Sequence, residues 1–347
     1  ATDLGGPREI IQHGTNGMLV PAFDSAGISN AVDFLLSDRQ RYAAIVDAAR
    51  RQVEDKYRLD TMCRSTLDVY DELSGCTRIV VFKLSALGDV VLATAAFKSL
   101  KERFPGCSLS VVVSKDYAPV IARHPCVDRV IAFDPARGRW KELCRLGQQL
   151  RREQYDIAVD LQNSRFTHLL AALGCPKKSI GVDRKHGNLL DERVDYGSIR
   201  GLSPLESQKA IMSSLGITDM PQPSLVPDER LRERLKKQLA NSLGVRPLVV
   251  INAGASAAWK TKMPQTRLLE TLSAYCIGRH GAAVAVVGTA AHASVATAVS
   301  AGRSTDVIDL CGKTDIAELI ALISLASVLI TPDSAPLHIA TALKVPA

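Results

Sequence analysis

Three short polar segments of the sequence carry residue types that could do chemistry. The first reads K-L-S-A-L-G-D over residues 83–89 and follows a short apolar run. Asp89 could accept a proton as a general base, while Lys83 and Ser85 supply a cation and a hydroxyl beside a turn at Gly88. The same carboxylate could instead only cap the helix that begins there. Position alone leaves both interpretations open.

The second segment reads A-G-A-S-A-A-W-K-T-K over residues 253–262 and also follows an apolar run. Its small residues would let the backbone approach a ligand closely, and Ser256 and Lys260 could hold phosphate oxygens. It nearly matches the G-x-S-x-G turn of serine hydrolases, but Ala258 replaces the second glycine, which weakens that prediction. A plain loop is the alternative.

The third segment reads T-P-D-S-A-P-L-H over residues 331–338. Free backbone N–H groups where a helix starts can bind an anion, and Asp333, Ser334 and Ala335 lie at that point. The alternative is an aspartate cap followed by a buried histidine, His338.

Other ligand motifs are incomplete. Gly312, Lys313 and Thr314 match the end of a P-loop, but Val307 stands where its first glycine belongs. The sequence has no G-x-G-x-x-G, no D-x-D and no C-x-x-C pair. A nicotinamide enzyme and a metal-bridged diphosphate are therefore unsupported, and no metal or cofactor is expected.

Composition restricts the class of protein. The 347 residues are 46% hydrophobic and 23% charged, with mean hydropathy +0.06, which predicts two or three soluble globular domains. The net charge of +7 suits an anionic ligand such as a nucleotide diphosphate or a phosphorylated lipid headgroup. Scattered basic residues and only 5% aromatics argue against a nucleic-acid ligand.

The cysteines and the apolar segments bear on the compartment. Eight cysteines without zinc-ligand spacing predict reduced, mostly buried thiols in the cytoplasm. No signal peptide or long apolar run occurs, so any membrane contact would be peripheral.

From residue 78 onward, short apolar runs alternate with amphipathic segments. Strands are predicted over 79–82, 109–113, 130–133, 157–161, 248–252, 283–287, 307–310 and 328–331. Helices are predicted over 89–104, 139–154, 204–215, 228–243, 265–280, 291–301, 315–325 and from 334. This alternation indicates an α/β protein with two doubly wound parallel sheets and a cleft between them. Ligands bind at the carboxyl ends of such strands, where the three segments begin.

The first 75 residues have a different character. Helices are predicted over 26–36, 39–57 and 59–73 after a short strand at 18–20, too little to bury much apolar surface alone. We therefore expect four parts: a partial α/β remnant at 1–75, a Rossmann-like domain at 77–225, a linker helix at 226–245 and a second Rossmann-like domain at 246–347. The sequence begins inside a motif and stops at residues 344–347, where a strand would begin, so we expect a truncated fragment.

Four motifs in order carry a family resemblance. K-x-S-x-x-G-D-V at 83–90, N-x-G-A-S with its lysine at 252–260, G-K-T at 312–314 and D-S-x-P-x-H at 333–338 resemble the ADP-heptose:lipopolysaccharide heptosyltransferases, glycosyltransferase family 9. The resemblance covers residues 77–347. It implies the GT-B architecture, with the acceptor on the N-terminal Rossmann-like domain and the donor on the C-terminal one.

The resemblance also implies roles for individual residues. Asp89 would be the general base, with Lys83, Ser85 and Gly88 in an acceptor-side loop. The donor residues would be Ser256, Lys260, Lys313, Thr314, Asp333, Ser334, Ala335 and His338. The reaction would be inverting transfer of a sugar from a nucleotide-sugar, ADP-heptose in this family, without metal or cofactor. The acceptor would be a glycolipid or glycan of the lipopolysaccharide core, at the cytoplasmic face of the inner membrane.

The sequence departs from the family pattern at two places. The usual K-x-W-P is absent: counting from Ser256 selects Lys260, whereas counting back from Pro264 lands on Thr261, so either Lys260 or Lys262 could bind the diphosphate. Ala335 stands where glycine is usual.

Residues 1–73 resemble another family, the end of a family 4 glycosyltransferase, from a G-G-x-x-E loop at 5–9 through G-x-x-G-x-L-V at 14–20. The parent protein would then be a tandem fusion of two transferases. Two other functions stay open: a nucleotide-sugar hydrolase or epimerase, and a non-catalytic glycan- or nucleotide-binding scaffold.

Overall fold

The computed structural model describes residues 1–63, 65–66, 76–255, 260–302 and 305–347, and only the backbone of residues 242 and 260. Most of the predicted helix 59–73, and the segment 256–259, lie outside these residues. The chain divides into two compact units, Ala1–Cys76 and Thr77–Ala347.

The first unit is helical. Its helices are α1 (Gly6–Ile10), α2 (Ser25–Ser37) and α3 (Arg39–Lys56). Asp24 and Asp38 precede α2 and α3, and their carboxylates accept hydrogen bonds from the first free backbone N–H groups. The strand predicted at 18–20 is wrong, because Val20 forms only an isolated bridge with Thr2. Among the described residues of this unit, Ile45 is the one buried hydrophobic side chain.

The second unit begins with a six-stranded parallel sheet. Its strands are β1 (Arg78–Phe82), β2 (Ser108–Ser114), β3 (Arg129–Phe133), β4 (Ile157–Asp160), β5 (Lys178–Asp183) and β6 (Glu192–Asp195). Their spatial order is β3-β2-β1-β4-β5-β6. In β1 the β-branched residues Ile79, Val80 and Val81 are buried on both faces, as a sheet covered by helices on both sides requires.

Seven helices accompany this sheet. They are α4 (Leu87–Leu92), α5 (Thr94–Arg103), α6 (Ala118–Ile121), α7 (Arg139–Glu153), α8 (Arg165–Gly174), α9 (Tyr196–Ile199) and α10 (Pro204–Ser213). The single helix predicted over 89–104 is wrong, since α4 and α5 are separate. The hydroxyl of Thr94 donates to the carbonyl of Val91 at 2.7 Å and accepts from the amide of Ser224 at 3.0 Å, which favours a break there.

A second parallel sheet follows the helix α11 (Glu229–Leu243). Its strands are β7 (Leu248–Asn252), β8 (Ala283–Val287), β9 (Val307–Asp309) and β10 (Val328–Ile330), in the order β10-β7-β8-β9. Its helices are α12 (Thr266–His280), α13 (Ala293–Ser300), α14 (Ile316–Leu325) and α15 (Ala335–Leu343). We call the six-stranded sheet with its helices the first lobe, and this sheet with its helices the second lobe. The predicted pair of doubly wound sheets is confirmed.

The strand orders fix where ligands can bind. Each sheet changes its winding direction beside its first strand, between β1 and β4 and between β7 and β10. Loops at such a switch point diverge and leave a crevice at the carboxyl ends of the strands. Because α4 packs against α15 and α14 packs against α6 and α11, the two lobes share one apolar core.

Two predictions about the surface can be compared with the structure. The prediction of mostly buried thiols is wrong for Cys63, Cys76, Cys144 and Cys175, which are exposed, although none of the eight cysteines forms a disulfide. Within the described ranges, no helix has the length and apolar character needed to cross a membrane.

Candidate functional site

A cavity of about 1040 Å³ lies between the carboxyl ends of the two sheets. Its lining residues include Leu87, Gly88 and Asp89 of the first lobe, and Asn252, Gly254, Lys262, His292, Thr314, Asp333, Ser334, Ala335 and His338 of the second. Most of the residues singled out in the sequence therefore meet at one site.

Asp89 reaches this cavity from the first turn of α4. Its side chain is 38% exposed, while Lys83 beneath it is buried. Lys83 Nζ donates to Asp89 Oδ2 at 3.2 Å and to the carbonyl of Leu161 at 3.3 Å. The capping position of α4 is Ala86, and none of the side chains that the structure describes caps it. Asp89 therefore orients towards an ion pair and the cavity rather than serving as the helix cap.

The opposite wall is built at the second switch point. Asn252, the last residue of β7, is buried, and its Nδ2 donates to Thr331 Oγ1 and to Ser334 Oγ, both at 3.0 Å. This side chain ties the end of β7 to the loop after β10 and so fixes the start of α15. No described side chain caps α15 at Ser334, so the amide of Ala335 and the positive end of the helix dipole lie at the cavity. Pro336 has no N–H, and Leu337 N donates to the carbonyl of Ser334 at 3.0 Å.

Lys262 adds a cation beside this helix start. Its Nζ donates to Asp333 Oδ2 at 2.6 Å, and this hydrogen bond lowers the pKa of the Asp333 carboxyl. Of the two lysines left open by the sequence, Lys262 lines the cavity. The side chain of Lys260 and all of Ser256 lie outside the described residues.

The G-K-T segment divides between two surroundings. Thr314 lines the cavity, whereas Lys313 Nζ donates to the carbonyl and to Oδ2 of Asp309, at 2.9 and 2.8 Å. Lys313 therefore binds the end of β9 and is not among the described residues that line the cavity.

The two walls touch where α4 meets α15. A Cβ placed on Gly88 would lie 2.6 Å from His338 Cδ2, closer than real Cβ atoms come to neighbouring atoms. Glycine at position 88 thus lets the helix that carries Asp89 pack directly on the helix that begins at Ala335.

Three further residues contribute to the site. Asn252 was named only as the first residue of the N-x-G-A-S motif, whereas His292, which lines the cavity, and Gln162, which contacts the loop after β1, were not singled out from the sequence. The His292 ring occupies the space over Gly254 and Gly288, and its Nδ1 accepts from the amide of Thr289 at 3.1 Å. Gly288 follows the apolar strand β8 directly, which was a signal that could have drawn attention to this loop.

A buried pair lies behind the first-lobe loop. Asp160 Oδ2 is 3.3 Å from His168 Nε2, and both side chains are almost fully buried. Burial raises the pKa of Asp160 to about 6 and lowers the pKa of His168. In the part of the chain that the structure covers, no three His, Cys, Asp or Glu side chains are grouped as a metal site.

Two Rossmann-like lobes with a cavity between the carboxyl ends of their sheets form the GT-B architecture. The sequence model of glycosyltransferase family 9 (heptosyltransferase) matches residues 143–347. The chain belongs to this family and is a glycosyltransferase, which confirms the resemblance seen over residues 77–347.

Known proteins resemble the chain over a similar extent. Lipopolysaccharide heptosyltransferase 2 of Salmonella typhimurium is 26% identical over 285 residues, 78% of this chain and 81% of that protein. Lipooligosaccharide heptosyltransferase 2 of Haemophilus influenzae is 27% identical over 286 residues, 77% and 81% of the two chains.

Solved structures support the fold. A family 9 glycosyl transferase from Veillonella parvula gives a TM-score of 0.69 at 21% identity, over 78% of each chain. The E. coli ADP-heptose lps heptosyltransferase II gives 0.65 at 23% identity, over 78% of this chain and 83% of that one.

Proposed function

We propose that this protein transfers heptose from a nucleotide-diphosphate heptose to a glycan of the lipopolysaccharide core, with inversion and without a metal. The observation that carries the proposal is that Asp89 of the first lobe and the helix start at Ser334 and Ala335 of the second lobe line one cavity. The relatives named as lipopolysaccharide and lipooligosaccharide heptosyltransferases favour heptose and this acceptor class. ADP-heptose is named for the E. coli neighbour, and it is the donor we propose here.

Asp89 acts in this proposal as the general base. Lys83 holds Oδ2 at 3.2 Å, and Oδ1 accepts the proton of an acceptor hydroxyl. The acceptor oxygen forms a bond to the anomeric carbon as the bond from that carbon to the diphosphate breaks. The electron pair leaves with the diphosphate oxygen, and a single displacement of this kind inverts the anomeric configuration.

The leaving diphosphate gains negative charge as its bond breaks. The amide of Ala335, the positive end of the α15 dipole and the ammonium of Lys262 supply positive charge on that wall. We therefore assign the diphosphate to Lys262, Ser334 and Ala335, with Ser256 and Lys260 on the adjoining loop. Thr314 and His292 border the part of the cavity left for the nucleoside.

The acceptor belongs to the first lobe in this proposal. Exposed basic side chains follow the carboxyl ends of strands β2 to β5, namely Lys115, Arg137, Arg139, Arg165, Arg184 and Lys185. Their charge suits an anionic glycolipid, reached by peripheral contact with the cytoplasmic face of the inner membrane. Residues 1–73 are proposed as the end of a family 4 glycosyltransferase, fused to this enzyme so that both act on one glycan.

The test is a donor and acceptor screen by mass spectrometry. ADP-heptose with heptose-deficient core glycolipid should give an acceptor heavier by one heptose, and ADP release should require the acceptor and persist in EDTA. Release of ADP at the same rate without acceptor would replace the proposal by a hydrolase. Binding of ADP-heptose without any turnover would replace it by a binding scaffold.

A further inference from the structure

The amides that follow β1 are held by a side chain rather than by a neighbouring strand. Leu84 N and Ser85 N both donate to Gln162 Oε1 at 3.0 Å. The strand β4 ends at Asp160, so the backbone of β4 no longer accompanies β1 at this level. The carboxamide oxygen of Gln162 takes the place that a carbonyl of a continuing β4 would fill.

Gln162 is itself fixed in direction. Its backbone N donates to Asp160 Oδ1 at 2.8 Å, and Asn163 N donates to the same oxygen at 2.8 Å. Its Nε2 lies 3.4 Å from Ser85 Oγ. Gln162 is half-buried and is not among the described residues that line the cavity. Its side chain therefore hydrogen-bonds to the loop after β1 and does not reach the substrate.

We propose that Gln162 is a positioning residue for glycosyl transfer, an inference that rests on the proposed role of Asp89. The loop that Gln162 holds joins Lys83 to Asp89, and Lys83 Nζ contacts both Asp89 and the carbonyl of Leu161. One oxygen of Gln162 and one carbonyl of Leu161 thus tie the base and its cation to the end of β4.

Removing the oxygen of Gln162 leaves two amides without their acceptor. The loop must then shift to find water or another partner. A displacement of about 1 Å at a reacting group can cost on the order of 10²-fold in rate. The donor groups lie on the second lobe, so the donor KM should change little. A role confined to stability would instead leave kcat of the folded fraction unchanged.

The test compares Gln162→Met, Gln162→Glu and Gln162→Asn with wild type in ADP-release kinetics. Gln162→Met keeps the length of the side chain without its acceptor and should lower kcat about 10- to 100-fold, with donor KM within about threefold. Gln162→Glu keeps an oxygen at the same reach and should restore kcat to within about fivefold. The shorter side chain of Gln162→Asn cannot reach both amides, so its kcat should lie between those of Gln162→Met and Gln162→Glu.

A matched control removes the corresponding acceptor at the other end of β1. Arg78 N donates to Asp156 Oδ2 at 2.8 Å, so Asp156→Leu should lower the melting temperature without lowering kcat. The proposal is overturned if Gln162→Met keeps kcat within about twofold, if Gln162→Glu is as impaired as Gln162→Met, or if Asp156→Leu loses as much activity.

Amide hydrogen exchange at Leu84 and Ser85 provides a readout that does not need turnover. Faster exchange at these two amides in Gln162→Met, with normal exchange in Asp156→Leu, supports the positioning role. Unchanged exchange overturns it. If wild type transfers no sugar, the proposed function fails, while this exchange still decides whether Gln162 holds the loop.

Discussion

Replacing Gly88 by alanine should reduce transfer far more than it reduces stability. The new Cβ would lie 2.6 Å from His338 Cδ2 and 3.3 Å from His338 Nε2. Carbon atoms in contact prefer about 3.5–4.0 Å, so α4 and α15 must separate by about 1 Å or the His338 ring must turn. Overpacking of this kind costs about 1–3 kcal/mol of stability. The same shift moves Asp89 relative to the start of α15, so we expect kcat to fall about 10²-fold.

Gly147 provides the matched control for this substitution. It lies in α7, where an added Cβ would be 2.8 Å from Leu173 Cβ in α8, away from the cavity lining. Gly147→Ala should therefore lose a similar amount of stability and keep its kcat. The assay is acceptor-dependent ADP release at saturating substrates, with the folded fraction measured by calorimetry.

The result that would refute this reasoning is specific. If Gly88→Ala keeps kcat within about threefold of wild type while it loses as much stability as Gly147→Ala, the contact between α4 and α15 does not set the geometry of transfer. Equal losses of kcat in the two variants would also contradict it, because a general loosening of the first lobe would then explain both.

Three further predictions concern the donor wall and the buried pair. Asn252→Leu removes the hydrogen bonds to Thr331 and Ser334 and should weaken ADP binding about tenfold in calorimetric titration, since two such bonds contribute roughly 1–3 kcal/mol. Lys262→Ala should weaken ADP binding about 10- to 100-fold, because a charge-assisted hydrogen bond contributes about 1.5–3 kcal/mol. Asp160, with its pKa raised to about 6, binds a proton in the folded state more readily than in the unfolded state, so stability should fall as pH rises from about 4 to about 6. Asp160→Asn should flatten this part of a plot of melting temperature against pH.

Each of these predictions has a control and a contrary result. Lys262→Arg keeps the charge and should bind ADP within about threefold of wild type, whereas equal affinity of Lys262→Ala and wild type would remove Lys262 from the diphosphate site. Unchanged ADP affinity in Asn252→Leu would show that ADP binding at the start of α15 does not depend on the hydrogen bonds of Asn252 to Thr331 and Ser334. A slope that persists between pH 4 and 6 in Asp160→Asn would assign the titration to another group.

The two sheets, and the position of the three polar segments at the ends of their strands, could be predicted from the sequence. Runs such as residues 79–82 and 248–252 are continuous and β-branched, which is typical of strands buried on both faces. Parallel strands end at one edge of their sheet, so Asp89 could be placed at the carboxyl edge of the first sheet and Ser334 at that of the second. That the two edges face one cleft was implied by the GT-B resemblance.

Contacts across the switch points could not be predicted in this way. Gln162 and Leu84 are 78 residues apart, and Asn252 and Thr331 are 79 apart, so their hydrogen bonds depend on strand order and register. The elements between β4 and α10 were also missed. The helix α8 has only ten residues, and β5 is interrupted by Gly181, which gives little periodic signal.

The central claim is that the carboxylate of Asp89 takes the acceptor proton from its place opposite the donor diphosphate. The most direct measurement is the single-turnover rate of Asp89→Asn at saturating ADP-heptose and acceptor, together with the dissociation constant for ADP. The account predicts a rate lower by about 10²–10⁴, with ADP affinity within about threefold of wild type. A single-turnover rate within about threefold of wild type would contradict it.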